Sequence, residues 1–325
     1  MSEHLLLYEY YEFENKNEII LSKTSKFILI LFIIFIIDYN KVEIKDNFNI
    51  KVGLCVIGKK ENLYAAEFVQ HYKKIGYNHI FIYDNNDIDD ERFEDVLNNE
   101  ISNNFVTIIN YRGYRGKINR PQFDSFIDCY RNNKKKYDWL SFFDFDEFLE
   151  INNNKSINYF LGDKLFHKCL NIKINWLMYS DNDLLYYENK PVQERFTEPL
   201  FNDSANNVIK STVRGNLKTN YWENMQNPHT SDNNYISCNS LGDKIDSRSI
   251  GNIPPTFKNA YLKHYATKTI EEYCEKIKRG RSDLKVTYDD KTMKEYFDYF
   301  FTRNKITKQK LDYIKKIFNY TYIVQ

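Results

Sequence analysis

The chain has 325 residues, a formal net charge of +1 and a mean hydropathy of -0.64. That length accommodates one large α/β domain or two small ones with a substantial core. The balanced charge gives no footprint for nucleic acid, and the hydropathy excludes a multi-span membrane protein.

Residues 1–26 are polar and aromatic without a clear period, and Phe27–Ile37 is then an apolar run between Lys26 and Asp38. A helical bilayer span needs about 20 residues, so this run is too short to cross. A buried or interfacial segment is the first reading. An uncleaved membrane anchor is the second, because Lys23 and Lys26 precede the run but no small-residue cleavage site follows. The location stays open between cytoplasmic and membrane-associated. Residues 1–50 read as an extension and 51–325 as one domain.

From Lys51, KVGLCVIG reads as a buried strand, followed by a helix from Glu61 with apolar Ala65, Phe68, Val69, Tyr72 and Ile75, ending at Gly76. A second strand, His79–Tyr83, runs into the polar turn Asp84, Asn85, Asn86, where open α/β sheets bind ligands. A short helix through Phe93, Val96 and Leu97 and a strand at Phe105–Ile109 complete a β-α-β-α-β unit, hence a parallel, doubly covered sheet. Pro121 opens a helix whose apolar residues Phe123, Phe126, Ile127 and Tyr130 follow helical spacing.

That helix leads to WLSFFDFDEFLEI, Trp139–Ile151. Its apolar start reads as a buried strand, and carboxylates at i and i+2 on a strand share a side, so Asp144 and Asp146 could hold one Mg²⁺ or Mn²⁺. The competing reading is a solvated strand end. Other DxD triplets occur at Asp87 with Asp89 and Asp181 with Asp183, but only the Asp144 copy follows a strand-like apolar run.

Beyond it, Leu170, Ile172, Ile174 and Trp176 alternate with polar residues as a half-exposed strand should. Ala260–Tyr265 is a further strand. Thr269 and Glu272 form a capping box for a helix stopped by Gly280, and two amphipathic helices form the C-terminal tail. The five cysteines (55, 129, 169, 238, 274) are scattered and contain no CxxC, so buried thiols are expected instead of a zinc site or a disulfide framework. In so Asn-rich a chain the N-x-S/T triplets at Asn154, Asn202 and Asn319 carry little weight.

Set side by side, KKENLYAAEFVQHYKKIGYNHIFIYDNN, WLSFFDFDEF, INW, QERF, VIKS, NPH and LKHYATKTIEEYCEKIKRG resemble the GT-A glycosyltransferases of family 92 and related family-2-like enzymes, over residues 51–281. The resemblance implies a GT-A, Rossmann-like α/β fold with a mostly parallel sheet flanked by helices. It implies a metal held by Asp144 and Asp146 that anchors the diphosphate of a UDP-sugar. It adds His264, in the HY match, as a third ligand, although a lone strand histidine taken alone is more often a hydrogen-bonding residue. Imidazole would favour Mn²⁺ over Mg²⁺. His229, in NPH, has either a structural or a site role.

Asp84 matches the residue that accepts a hydrogen bond from the nucleotide base, a turn cap being the alternative. Glu61 matches one half of an Asn-Glu pair whose Asn is here Lys60. Lys268, Lys276 and Arg279 fall in the segment expected to stabilise the leaving diphosphate. Asp181 and Asp183 are the candidate bases, with Glu147 behind them, although Met178 and Tyr179 stand where the family has a glycine and an aromatic residue. Arg195 and Phe196 match a bracing RF pair. The activity implied is metal-dependent, inverting transfer of a hexose, galactose first, to a carbohydrate or glycoconjugate hydroxyl. The alternatives are a non-catalytic, membrane-associated binding protein on the same scaffold and a nucleotidyltransferase, for which GKKEN lacks a Gly-rich phosphate loop.

Overall fold

Strand β1 (Val52–Gly58) shows why the chain folds as a covered sheet. Val52, Leu54 and Val56 enter one apolar cluster with Ala65, Phe68, Val69 and Tyr72 of helix α1 (Asn62–Lys74), whereas Cys55 enters another with Phe126, Cys129 and Tyr130 of helix α3 (Pro121–Asn133). Alternate residues of a strand point to opposite faces, so an apolar run with this parity requires helices on both. Between them lie β2 (His79–Asp84), helix α2 (Glu94–Ser102) and β3 (Val106–Asn110). The computed structural model describes residues 49–114, 120–217, 236–246, 254–280 and 288–323, all within one unit spanning 48–325. Phe27–Ile37 and His229 lie outside the described residues. Among the described residues no helix is long and apolar enough to cross a membrane.

Strands β4 (Trp139–Phe142) and β5 (Glu147–Ile151) flank the acidic turn. Helix α4 (Ile157–Gly162), strand β6 (Asn171–Met178), helix α5 (Val192–Arg195) and strand β7 (Ile209–Arg214) follow. Short strands β8 (Ser237–Cys238) and β9 (Lys244–Ile245) precede β10 (Ala260–His264). Helices α6 (Ile270–Arg279), α7 (Asp290–Phe301) and α8 (Lys308–Phe318) form the C-terminal tail. The sheet order is β3-β2-β1-β4-β7-β6-β10-β5, with β8 and β9 branching from β6. Pairing is parallel from β3 to β4, antiparallel at β7, and mixed beyond it. This is the helix-flanked α/β sheet with a helical C-terminal tail that the sequence implies.

The tail has its own core, built from Ile270, Tyr273, Cys274 and Ile277 of α6 with Met293, Phe297 and Phe300 of α7 and Ile314 of α8. Thr269 and Glu272 form the expected capping box, and Gly280 ends α6 at a φ of 73°, a left-handed conformation that glycine adopts without a Cβ penalty.

Two expectations are corrected here. Strand β6 is buried on both faces, and its polar residues find partners inside the protein: Asn171 donates to Ser211, Lys173 to the Asp246 carbonyl and Asn175 to the Asn206 carbonyl. Four of the five cysteines are not buried thiols. Cys55 is bonded to Cys129 and Cys169 to Cys238, across 74 and 69 residues of chain, and only Cys274 is free. The first bridge pins α3 to β1, a pairing that scattered spacing cannot reveal.

Candidate active site

The carboxyl end of β1, the start of α3, the β4–β5 turn and the inner faces of α6 and α7 enclose a cleft of about 610 Å³. Gly58 lines it because a Cβ there would stand 2.5 Å from Phe145 and 2.7 Å from Phe93, whose rings stack at 5.3 Å. That close approach holds Phe145 between the two aspartates of the turn.

Asp144 and Asp146 lie in the turn after β4 and not on a strand, so strand alternation does not put them on one side. Both line the cleft, but toward different cations. Asp144 accepts from the Gln122 amide at 2.7 Å and from the Lys210 ammonium at 2.6 Å. Asp146 faces Lys276 at 2.8 Å and His264 Nε2 at 3.6 Å. The acid that joins Asp146 and His264 is Glu147, which lies directly opposite His264 in the antiparallel β5–β10 ladder. Asp146, Glu147 and His264, all buried, can each offer a ligand atom within 4.8 Å of the others.

These residues fit a divalent ion. Glu147 Oε1 and His264 Nδ1 have no hydrogen bond among the described residues, and two carboxylates with one imidazole suit Mn²⁺ better than Mg²⁺. Burial pushes the His264 imidazole below its usual range, which favours the neutral, ligating form. Burial opposes ionisation of Asp146, but the Lys276 ammonium outweighs it and holds that carboxyl well below the carboxylate range. Burial pushes Glu147 well above it, against the pull of Lys210.

Lys210 is a cleft-lining residue that site reasoning from sequence missed. It is buried on β7, 2.6 Å from Asp144 and 3.4 Å from Glu147, and these acids raise its pKa against the effect of burial. The available signal was a lone charge in the strand-like run VIKSTV, since a buried charge needs a partner.

The other candidates divide. Arg279 lines the cleft and bonds Glu61 at 2.5 Å and the Lys59 carbonyl at 2.7 Å, tying α6 to the β1–α1 turn. Lys276 also donates to the Ala266 carbonyl at 2.9 Å. Lys268 is buried behind the cleft wall at a φ of 50°, with its ammonium 4.2 Å from the Tyr64 ring centroid. Arg195 donates from both terminal nitrogens to Glu272, at 2.8 and 2.9 Å, tying α5 to α6.

Three assignments do not survive the geometry. Asp84 is buried and already accepts from Arg112 at 2.8 Å and from the Asn86 backbone and side chain at 3.0 and 2.7 Å, so it is a turn cap. Its neighbour Asn85 lines the cleft instead. Both Asn85 amide hydrogens go to carbonyls, of Tyr111 at 2.9 Å and Tyr114 at 2.7 Å, leaving buried Oδ1 without a partner. Asp181 and Asp183 do not reach the cleft: they pair with Lys310 and Lys305 of the C-terminal tail, each at 2.5 Å. Glu147 is fully buried, with one oxygen accepting the Asp144 backbone N–H at 3.0 Å, so it cannot meet an incoming hydroxyl.

A glycosyltransferase family 92 protein of Oryza sativa subsp. japonica is 28% identical over 104 residues, covering 32% of this chain and 17% of the rice protein, so the match spans under a fifth of that relative. Among solved structures, S. aureus TarS 1-349 in complex with UDP has a TM-score of 0.36 at 11% identity, covering 78% of this chain and 72% of that one. The same protein with UDP-GlcNAc gives 0.34 at 9% identity, covering 82% and 80%. The family model for glycosyltransferase family 92 matches residues 50–319, and the chain belongs to that family.

Proposed function

We propose that this chain is a glycosyltransferase that moves a hexose from a UDP-sugar to a carbohydrate or glycoconjugate hydroxyl, with galactose the first donor to test, by metal-dependent single displacement with inversion. The observation that carries this reading is the Asp146–Glu147–His264 cluster beside Lys276 and Arg279 in one cleft. A divalent ion held by those three residues would supply positive charge for the donor's diphosphate.

The chain's own cations complete the electrostatics. Lys276 and Arg279 offset the negative charge that grows on the diphosphate as the glycosidic bond breaks. Lys210 neutralises Asp144 and part of the Glu147 field, so that the acids do not repel the same diphosphate. Phe145, held against Gly58, fixes the turn that carries both aspartates. Base reading falls to Asn85: its unpartnered Oδ1 can accept the imide N–H of uracil, which cytosine lacks.

Thermal unfolding tests the reading, because only a ligand that favours the folded state raises the melting temperature. UDP with Mn²⁺ should raise it when neither does alone. Asn85→Ala should reduce the UDP shift and leave the weaker CDP shift unchanged. No shift with the pair would remove the donor assignment.

A further inference from the structure

The transfer needs a group to take the acceptor hydroxyl's proton, and the expected bases are outside the cleft or sealed beneath it. Four acids line the cleft among the described residues: Glu61, Asp144, Asp146 and Glu295. The first three are committed to cations: Glu61 to Arg279 at 2.5 Å, Asp144 to Lys210 at 2.6 Å and Asp146 to Lys276 at 2.8 Å. A carboxylate held by an ammonium or guanidinium is a weakened base. Glu295 has no hydrogen bond or ion pair among the described residues and is exposed to solvent.

Its place on α7 is suitable. Glu295 and Tyr299 are one turn apart on the same helix face, and both line the cleft. Asp146 and Lys276 line the same cleft as Tyr299, so this face of α7 addresses the cluster around Asp146. Tyr296, Tyr299 and Trp176 add aromatic surface at the same opening. Flat rings beside a free carboxylate suit a sugar that presents a hydroxyl.

We infer that Glu295 is the catalytic base, an assignment that rests on reading the cleft as a UDP-sugar site. The Glu295 carboxylate takes the acceptor O–H proton as that oxygen bonds to the anomeric carbon. The bond from the anomeric carbon to the β-phosphate oxygen breaks, and its electron pair leaves with UDP. Glu295, now a carboxylic acid at an exposed position, returns the proton to water.

The test uses the full chain, UDP-galactose as donor and methyl glycosides of galactose, glucose, mannose and fucose as acceptors. Glu295→Gln keeps the shape and removes the base, so kcat should fall about 10²- to 10⁴-fold. Calorimetric UDP affinity with Mn²⁺ should stay within about twofold of wild type, a split that a merely structural residue would not produce. Formate, a small external base, should restore part of the rate to Glu295→Ala but not to the wild type. A Glu295→Gln kcat within about threefold of wild type overturns the assignment, as does a parallel loss of UDP affinity. A wild-type chain that binds no UDP overturns the reading of the cleft and this role with it.

Discussion

Lys276 should oppose metal binding and support donor binding, and replacing it separates the two effects. Its ammonium stands 2.8 Å from Asp146, with the lysine side chain 34% and the aspartate 10% exposed. At an effective dielectric constant near 20 that contact is worth at most about 6 kcal/mol. Partial exposure and the desolvation of both charges reduce the net value to about 1–2 kcal/mol. Lys276→Met frees the Asp146 carboxylate, so Mn²⁺ binding without nucleotide should tighten about tenfold, equivalent to about 1.4 kcal/mol. The same change removes a charged hydrogen bond to the diphosphate, worth about 1.5–3 kcal/mol. UDP binding at saturating Mn²⁺ should therefore weaken about 10- to 100-fold. Calorimetric titrations of Mn²⁺ alone and of UDP with Mn²⁺ give both numbers. If both affinities fall together, Lys276 is a brace for Asp146 and the exchange of partners is wrong.

Lys210→Met strands Asp144 and Glu147 without their shared cation and should cost about 3–5 kcal/mol in chemical denaturation; a loss below about 1 kcal/mol would mean that the pair is dispensable. The neutral His71 ring donates from Nε2 to the Leu149 carbonyl and accepts at Nδ1 from the Gln193 amide, and burial, the largest influence, lowers its pKa to about 4. A pKa lowered below the unfolded value means that the unfolded chain binds more protons between pH 6.5 and 4, so stability is complete above that window and declines as pH falls through it. His71's share of the decline should be about 3 kcal/mol, and His71→Gln should flatten the slope by that share while His79 and His264, also held below their usual range, still contribute. A thiol titration of the denatured chain should find one thiol without reductant and five with it; five without reductant would refute both bridges.

Local physics made most of the fold readable in advance. The apolar run at β1 requires covering on both faces, the capping box and Gly280 mark the two ends of α6, and Pro121 opens α3. Each is a property of a few neighbouring residues. Asp146 drew attention because it follows a strand-like apolar run, the family resemblance added His264, Lys276 and Arg279, and all four line the cleft. What only the tertiary structure decided is which charges meet. Lys210 reaches Asp144 from β7 because β7 pairs with β4, across 66 residues of chain, and Glu147 joins His264 because β5 pairs with β10. The turn after β4 sends Asp144 and Asp146 to different partners, Arg112 fills the carboxylate of Asp84, and the C-terminal tail takes Asp181 and Asp183 away from the cleft. A carboxylate's role depends on the cation that reaches it first, and reach is set by strand pairing and helix docking between residues far apart in the chain.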